Sequence, residues 1–227
     1  MPANYSEIID LTLPVTTNMH VPPGNRKTLP PVEFKTYRTH ADSGIQVGFY
    51  QTGIHAGTHL DAPLHIIDGG KTIDQMDLNY FLGDAYCIDC TEVKPNEPVT
   101  AAMLDKAADA VEPGMMVFLY TGWSDKMFGR DEYWSDSPYL GEDAAQWLVD
   151  KKARIAGYDF FQDIGAKRSV LDASLFVVHK ILLGNGVLNI EHLTNLGKVA
   201  GGKFYCIALP LKIMGAEGSP TRVIALR

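Results

Sequence analysis

The sequence predicts one mixed α/β domain, with helices packed around a sheet or barrel-like core. Strand-type segments cluster in the first half of the chain, strand–helix alternation follows, and no shift in composition marks a linker. A chain of 227 residues with 46% hydrophobic and 21% charged residues is long enough to bury a sizeable core of ordinary composition. A single domain spanning residues 1–227 is therefore expected.

Each element has a local reason. Ile8 to Leu13 reads as a short strand. The prolines Pro22, Pro23, Pro30 and Pro31, with Gly24, make the next stretch an irregular arm. Val32 to Thr39 and Ile45 to Gln51 read as a hairpin joined through Asp42, Ser43 and Gly44. Ala85 to Cys90 is a further strand. Thr100 is a candidate N-cap for a helix running to about Val111, with Ala101, Leu104, Ala108 and Val111 on its buried stripe. Met115 to Tyr120 is a continuous apolar run, as in a strand buried on both faces. Glu142 and Asp143 open a helix that Lys151 and Lys152 close, in the sense the helix dipole favours. Arg154 to Gly157 is another strand, Leu171 to Leu183 is apolar with helical spacing, and Lys203 to Leu209 and Thr221 to Leu226 are the last strands.

Composition narrows the partners. A net charge of −7 argues against nucleic acid or an anionic membrane surface as the main partner. No apolar run reaches about 18 residues, the length needed to span a bilayer. Met1 to Asp10 lacks the basic-then-apolar order of a secretory signal, so the cytoplasm is the expected compartment. The 3 cysteines fit reduced structural thiols. Cys87 and Cys90 have CxxC spacing, but on a strand they point to opposite faces, and no second pair completes a zinc ribbon.

The chemistry concentrates between residues 55 and 65. His55, His59, Asp61 and His65 lie within eleven residues of a chain that has 7 histidines in all, with Gly57 and Pro63 between them. Imidazole and carboxylate are the groups that hold zinc or manganese. A helix through this segment conflicts with Gly57, Thr58 and Pro63. A straight strand puts all four side chains on one face but separates His55 from His59 by roughly 13 Å, too far for one ion. The strand must therefore bend at Gly57 and end near Asp61, with His65 arriving from the following turn. Three protein ligands leave a coordination position open to water, the arrangement of catalytic sites, and a divalent ion lowers the pKa of that water to about 7. The chemistry implied is attack on an amide, ester, lactam or lactone of a small molecule, with a spare histidine moving the proton.

Downstream, His179 lies in the apolar helical stretch and Glu191 sits among Leu188, Ile190 and Leu193. A carboxylate in such surroundings needs a partner, and a metal ion would serve. His192, adjacent to Glu191, is expected to point away from it on a strand.

These residues resemble a known family. His55, Gly57, Thr58, His59, Asp61, Pro63 and His65 match the HxGTHxDxPxH signature of the cyclase-type metal-dependent hydrolases, which include bacterial kynurenine formamidase, isatin hydrolase and polyketide cyclase-like proteins. Asp10 to Thr12 resembles the family's opening strand, Thr121 to Trp123 its central TGW segment, and Ala208 to Lys212 with Gly218 to Arg222 its C-terminal block. The resemblance implies a swivelling β/β/α fold and a homodimer or homotetramer. It implies that His55, His59 and Asp61 hold a first Zn²⁺ or Mn²⁺ ion. Asp61 would bridge to a second ion, where one binds, completed by His179 and Glu191, and His65 would be the general acid/base. The chain departs from the formamidase pattern in two places. Val21, Pro22, Pro23, Gly24 and Asn25 replace an aromatic residue followed by Pro-Gly-Asp, and Phe161 stands where the Gly157–Phe161 segment of the family carries serine. Kynurenine formamidase proper is thus one alternative, and a non-catalytic metal-binding protein on the same scaffold is the other.

Overall fold

The computed structural model describes residues 5–167 and 173–227. Its strands in chain order are β1 (Ile8–Asp10), β2 (Glu33–Arg38), β3 (Val47–Gln51), β4 (His59–Asp61), β5 (Leu82–Asp89), β6 (Pro98–Val99), β7 (Met116–Tyr120), β8 (Tyr139–Leu140), β9 (Ile155–Tyr158), β10 (Leu188–Glu191), β11 (Lys203–Pro210) and β12 (Gly218–Leu226). Eight of them form one sheet in the order β1-β12-β11-β5-β7-β9-β10-β4. β4 also pairs with β12 through Gly218, Ser219 and Pro220, and this closes seven strands into a barrel, with β1 an eighth on the outer part of β12. The core β5-β7-β9-β10 is parallel, and the strands that complete the ring are antiparallel.

Side-chain alternation along these strands builds two cores. Leu60, Cys87, Met116, Phe118, Ile155, Ile190, Cys206 and Val223 come from all seven strands of the ring and pack together as the barrel interior. The opposite face of the parallel strands carries Ile88, Val117, Leu119, Ala156 and Tyr158, and the helices cover it. The helix Glu142–Asp150 buries Ala144, Ala145, Trp147 and Leu148 there, and the helix Val177–Gly184 adds Val178 and Leu182. The CxxC cysteines divide as strand geometry requires, Cys87 in the barrel interior and Cys90 in the outer core. All three thiols are free and buried, and burial pushes that of Cys90 up to about 12.

Several elements differ from expectation. The first strand stops at Asp10, because Thr12 turns its hydroxyl to the Val223 carbonyl and its amide to the Asp10 carboxylate. The helix expected from Thr100 to Val111 is one α-turn, Ala101–Leu104, followed by a 3₁₀ turn at Asp105–Ala107. Thr100 makes no side-chain cap; Asp143, from the next helix, accepts from the Ala101 amide instead. The Asp105 carboxylate is drawn to the Trp147 indole and the Ala108 carbonyl to Lys151, and these tertiary bonds replace a longer helix. Of the helical stretch expected over 171–183, the described part is the helix Val177–Gly184, preceded by a 3₁₀ turn at Ala173–Leu175; Leu171 and Asp172 lie outside the described residues. The β2–β3 hairpin forms, with a single helical turn at its tip, His40–Ser43, ended by Gly44 at φ +74°. No helix among the described residues is long and apolar enough to cross a membrane.

Candidate metal centre

Register on the barrel's outer face assembles the site. β4 is three residues long, so His59 and Asp61 point to one side and Leu60 to the barrel interior. In the β4–β10 ladder Glu191 lies opposite His59, and Asn189 lies opposite Asp61. Directly opposed residues share a face, so the Glu191 carboxylate stands beside His59 and Asp61. The helix Val177–Gly184 lays His179 over this face.

His55 joins them because the chain turns between 55 and 59. Gly57 takes φ +66°, a left-handed conformation that suits glycine, and its open side receives the methyl of Met19 from the N-terminal arm. The adjacent Thr58 is buried; its hydroxyl donates to the His192 carbonyl at 2.6 Å and accepts from the Leu13 amide at 2.9 Å, tying the turn to the arm and to the end of β10. Pro63 opens a 3₁₀ turn that ends at His65 and brings its ring to 4.1 Å, centroid to centroid, from His55. The His65 and His179 centroids are 5.5 Å apart.

The structure thus brings His55, His59, Asp61, His65, His179 and Glu191 into one cluster. Asp61 Oδ1 lies 3.0 Å from His55 Nδ1 and 3.4 Å from His59 Nε2, and Asp61 Oδ2 lies 3.6 Å from His179 Nε2. Glu191 Oε1 is 3.0 Å from His179 Nε2. His55, Asp61 and His65 form one trio of donor atoms within 4.8 Å of one another, and Asp61, His179 and Glu191 form another.

The donor set fits a cation. His59 and Asp61 are fully buried, yet His59 Nε2 and both oxygens of Asp61 make no hydrogen bond. A buried carboxylate and an imidazole nitrogen left without protons between them is a costly arrangement for a protein alone. Outer groups orient the ligands as they do in metal sites. His59 Nδ1 donates to the Gly57 carbonyl at 2.9 Å, which leaves the lone pair on Nε2, facing the pocket. His179 Nδ1 donates to Asp163 at 3.2 Å, with the same consequence.

Electrostatics agree. Burial would raise Asp61, but His65, His179, His55 and His59 around it hold it well below the usual carboxylate range. Burial opposes charge on His55, but the Asp61 carboxylate 3.0 Å away and the bond to Glu217 outweigh this and lift it to about 9. His65 has no such partner, and burial pushes it down to about 4, so it is a neutral base at pH 7.

Sequence reasoning missed three groups. Asp163 anchors His179. Gln162 donates to Glu191 Oε1 and lies 3.3 Å from His179 Nε2. Both follow the Gly157–Phe161 segment, where two polar residues after an aromatic pair were the available signal. His192 does not point away: β10 ends at Glu191, and His192 takes φ +57°, which breaks the strand alternation and turns the ring back beside Glu191, with Nε2 3.5 Å from Glu191 Oε2.

Comparison with known proteins agrees with this geometry. The sequence profile of the family described as putative cyclase matches residues 9–162. A kynurenine formamidase of Bacillus thuringiensis (strain Al Hakam) is 30% identical over 221 residues, covering 96% of this chain and 97% of its own. That of Salinibacter ruber is 28% identical over 219 residues, covering 96% of each. Among solved structures, an isatin hydrolase bound to the product analogue thioisatinate superposes with a TM-score of 0.83 at 26% identity, covering 97% of this chain and 92% of its own. A potential metal-dependent hydrolase with cyclase activity superposes with a TM-score of 0.73 at 29% identity and 96% coverage of each chain. With the signature residues 55–65 gathered on one face of a closed barrel of the same shape, the chain belongs to the cyclase-type family of metal-dependent hydrolases.

Proposed function

We propose that this protein hydrolyses the C–N bond of a small amide, a formamide or lactam, with ester and lactone C–O bonds as the related class. The observation that carries the reading is the Asp61 carboxylate, fully buried among His55, His59 and His179 with both oxygens free of hydrogen bonds. His55, His59 and Asp61 hold one divalent cation, and His179 and Glu191 complete a second position with Asp61. When bound, Zn²⁺ or Mn²⁺ supplies Lewis acidity that polarises a carbonyl and acidifies water.

The protein's own groups do the rest. His65, neutral at pH 7 and beside the ligand cluster, accepts a proton from the attacking water as the new C–O bond forms. It returns that proton to the nitrogen as the C–N bond breaks, so the amide and one water leave as acid and amine. Glu217, half-exposed, accepts from His55 Nε2 at 3.3 Å and steadies that ring at the pocket mouth. Met19 of the N-terminal arm packs on the Gly57 turn and clusters with Val32 and Ala56, which holds the arm beside the signature segment.

The relatives support an amide substrate, and their names make N-formylkynurenine the first compound to assay. Pro22 and Asn25, in place of an aromatic residue and an acid, remove a stacking platform and favour other amides or lactams over that one. The rest of the reading is a single domain, a homodimer or homotetramer, and action in the cytoplasm on a small molecule. The test is to strip the protein with a chelator and assay aryl formamides, lactams and lactones before and after Zn²⁺ or Mn²⁺ is returned. Loss and recovery of turnover is the outcome expected; turnover unchanged by stripping would overturn the reading.

A further inference from the structure

His192 is fixed from every side yet leaves one nitrogen bare. Its carbonyl accepts from Thr58, its ring stacks with Phe161 at 6.0 Å between centroids, and the Trp134 ring meets it edge-on at 5.2 Å. Nδ1 is 2.7 Å from the Tyr133 hydroxyl. The residue is 1% exposed, and Nε2 makes no hydrogen bond.

Following the protons along the hydroxyls shows what Nε2 carries. Ser124 Oγ gives its one proton to the Asp159 backbone carbonyl at 2.7 Å, which can only accept. The 3.3 Å bond between Ser124 and Tyr133 is then donated by Tyr133. The 2.7 Å bond between Tyr133 and His192 is left for Nδ1–H to donate, and the lone pair of the ring falls on Nε2. His59 is set the same way, its Nδ1–H bound to the Gly57 carbonyl.

Two imidazole lone pairs therefore converge on one carboxylate oxygen. Glu191 Oε2 lies 3.5 Å from His192 Nε2 and 3.7 Å from His59 Nε2, and the three atoms lie within 4.8 Å of one another. No proton among them makes a hydrogen bond. The spacing suits donors around one ion, since two atoms each about 2.1 Å from a tetrahedral cation sit about 3.4 Å apart. Glu191 divides its oxygens between the two sides, Oε1 toward His179 and Gln162, Oε2 toward His59 and His192.

We propose that His59 Nε2, Glu191 Oε2 and His192 Nε2 form a seat for a divalent cation, with Glu191 as the bridge to the Asp61–His179 position. This rests on the metal reading above: one imidazole nitrogen serves one ion, so this is the cation assigned to His59 there, with His192 added as a ligand. Tyr133 and Ser124 are positioning residues that fix its tautomer.

The test uses the full chain with ¹⁵N-labelled histidine, loaded with ¹¹³Cd²⁺ and observed by NMR. His192→Gln assigns its resonance, and a Tyr133→Phe variant reports on the tautomer. The expected result is that His192 Nε2 and His59 Nε2 couple to the same cadmium resonance, that His192→Gln removes or shifts that resonance, and that Tyr133→Phe weakens cadmium binding roughly tenfold or more. If His192→Gln fails to fold, the wild-type coupling pattern decides. Coupling at His55, His59 or His179 with none at His192 overturns the proposal and leaves the metal reading intact. No coupling at any histidine overturns both.

Discussion

Asp163 holds His179 by three bonds to one oxygen. Its Oδ2 accepts from the backbone amides of Val178 at 3.1 Å and His179 at 3.3 Å and from the His179 ring Nδ1 at 3.2 Å. The carboxylate therefore fixes where the helix Val177–Gly184 begins and which ring nitrogen faces Asp61 and Glu191. Asp163→Asn removes the charge that makes Nδ1 the protonated nitrogen. Outer-shell changes of this kind cost about 10–100-fold in metal affinity. The measurement is competition for Zn²⁺ against a chromophoric chelator, with His179→Ala as the reference for full loss of the ligand. Unchanged affinity would show that the tautomer is set elsewhere.

Burial pushes His65 down to about 4, and its ring abuts that of His55. His65→Ala is expected to lower kcat by about 10²-fold or more while leaving metal content intact. Elemental analysis beside steady-state kinetics separates a proton carrier from a ligand. A parallel fall in metal content would reassign His65 to the coordination sphere.

Asp159 ties folding stability to pH. Burial pushes its carboxyl up to about 7, although Thr121 and the Gly122 amide donate to it. The folded protein thus keeps a proton that the unfolded chain releases near 3.8. The stability from this group is full below about pH 4 and is lost as pH rises toward 7. The measurement is thermal unfolding of wild type and Asp159→Asn across pH 4–8. The wild-type advantage should shrink as pH rises, and a flat difference would show the carboxylate ionised throughout.

Much of the site was legible because it is written in adjacent residues. His55, His59, Asp61 and His65 could be gathered only by a bent strand, and Gly57 and Pro63 stand where bends must be. The position of Glu191 needed more than its apolar neighbours. It depends on β4 pairing with β10 in the register that sets Glu191 against His59, a contact 132 residues apart in sequence that no local pattern encodes. His192 was misplaced because alternation was carried one residue beyond the end of the strand, and a positive φ at a non-glycine residue leaves no mark in composition. The helix from Thr100 was overextended for a related reason: Trp147 and Lys151, on another helix, take the groups that a longer helix would use.

Thr58 shows why a hydroxyl stands between two turn-forming positions of the signature. It is 3% exposed, donates to the His192 carbonyl and accepts from the Leu13 amide, so it joins the His55–His59 turn, the end of β10 and the N-terminal arm at one oxygen. Thr58→Val keeps the shape and β-branching but leaves a buried amide and a buried carbonyl unpaired, a loss of about 1–3 kcal/mol. For a chain of this size that is about 2–4 °C in Tm for each kcal/mol. Thr58→Ser restores the hydroxyl and should recover most of the loss, which separates the hydrogen bonds from packing. The same pair distinguishes stability from site geometry: if the carbonyl of His192 is what holds its ring toward Glu191, Thr58→Val weakens divalent-cation binding and Thr58→Ser does not. Equal metal affinity in both variants would confine Thr58 to holding the fold.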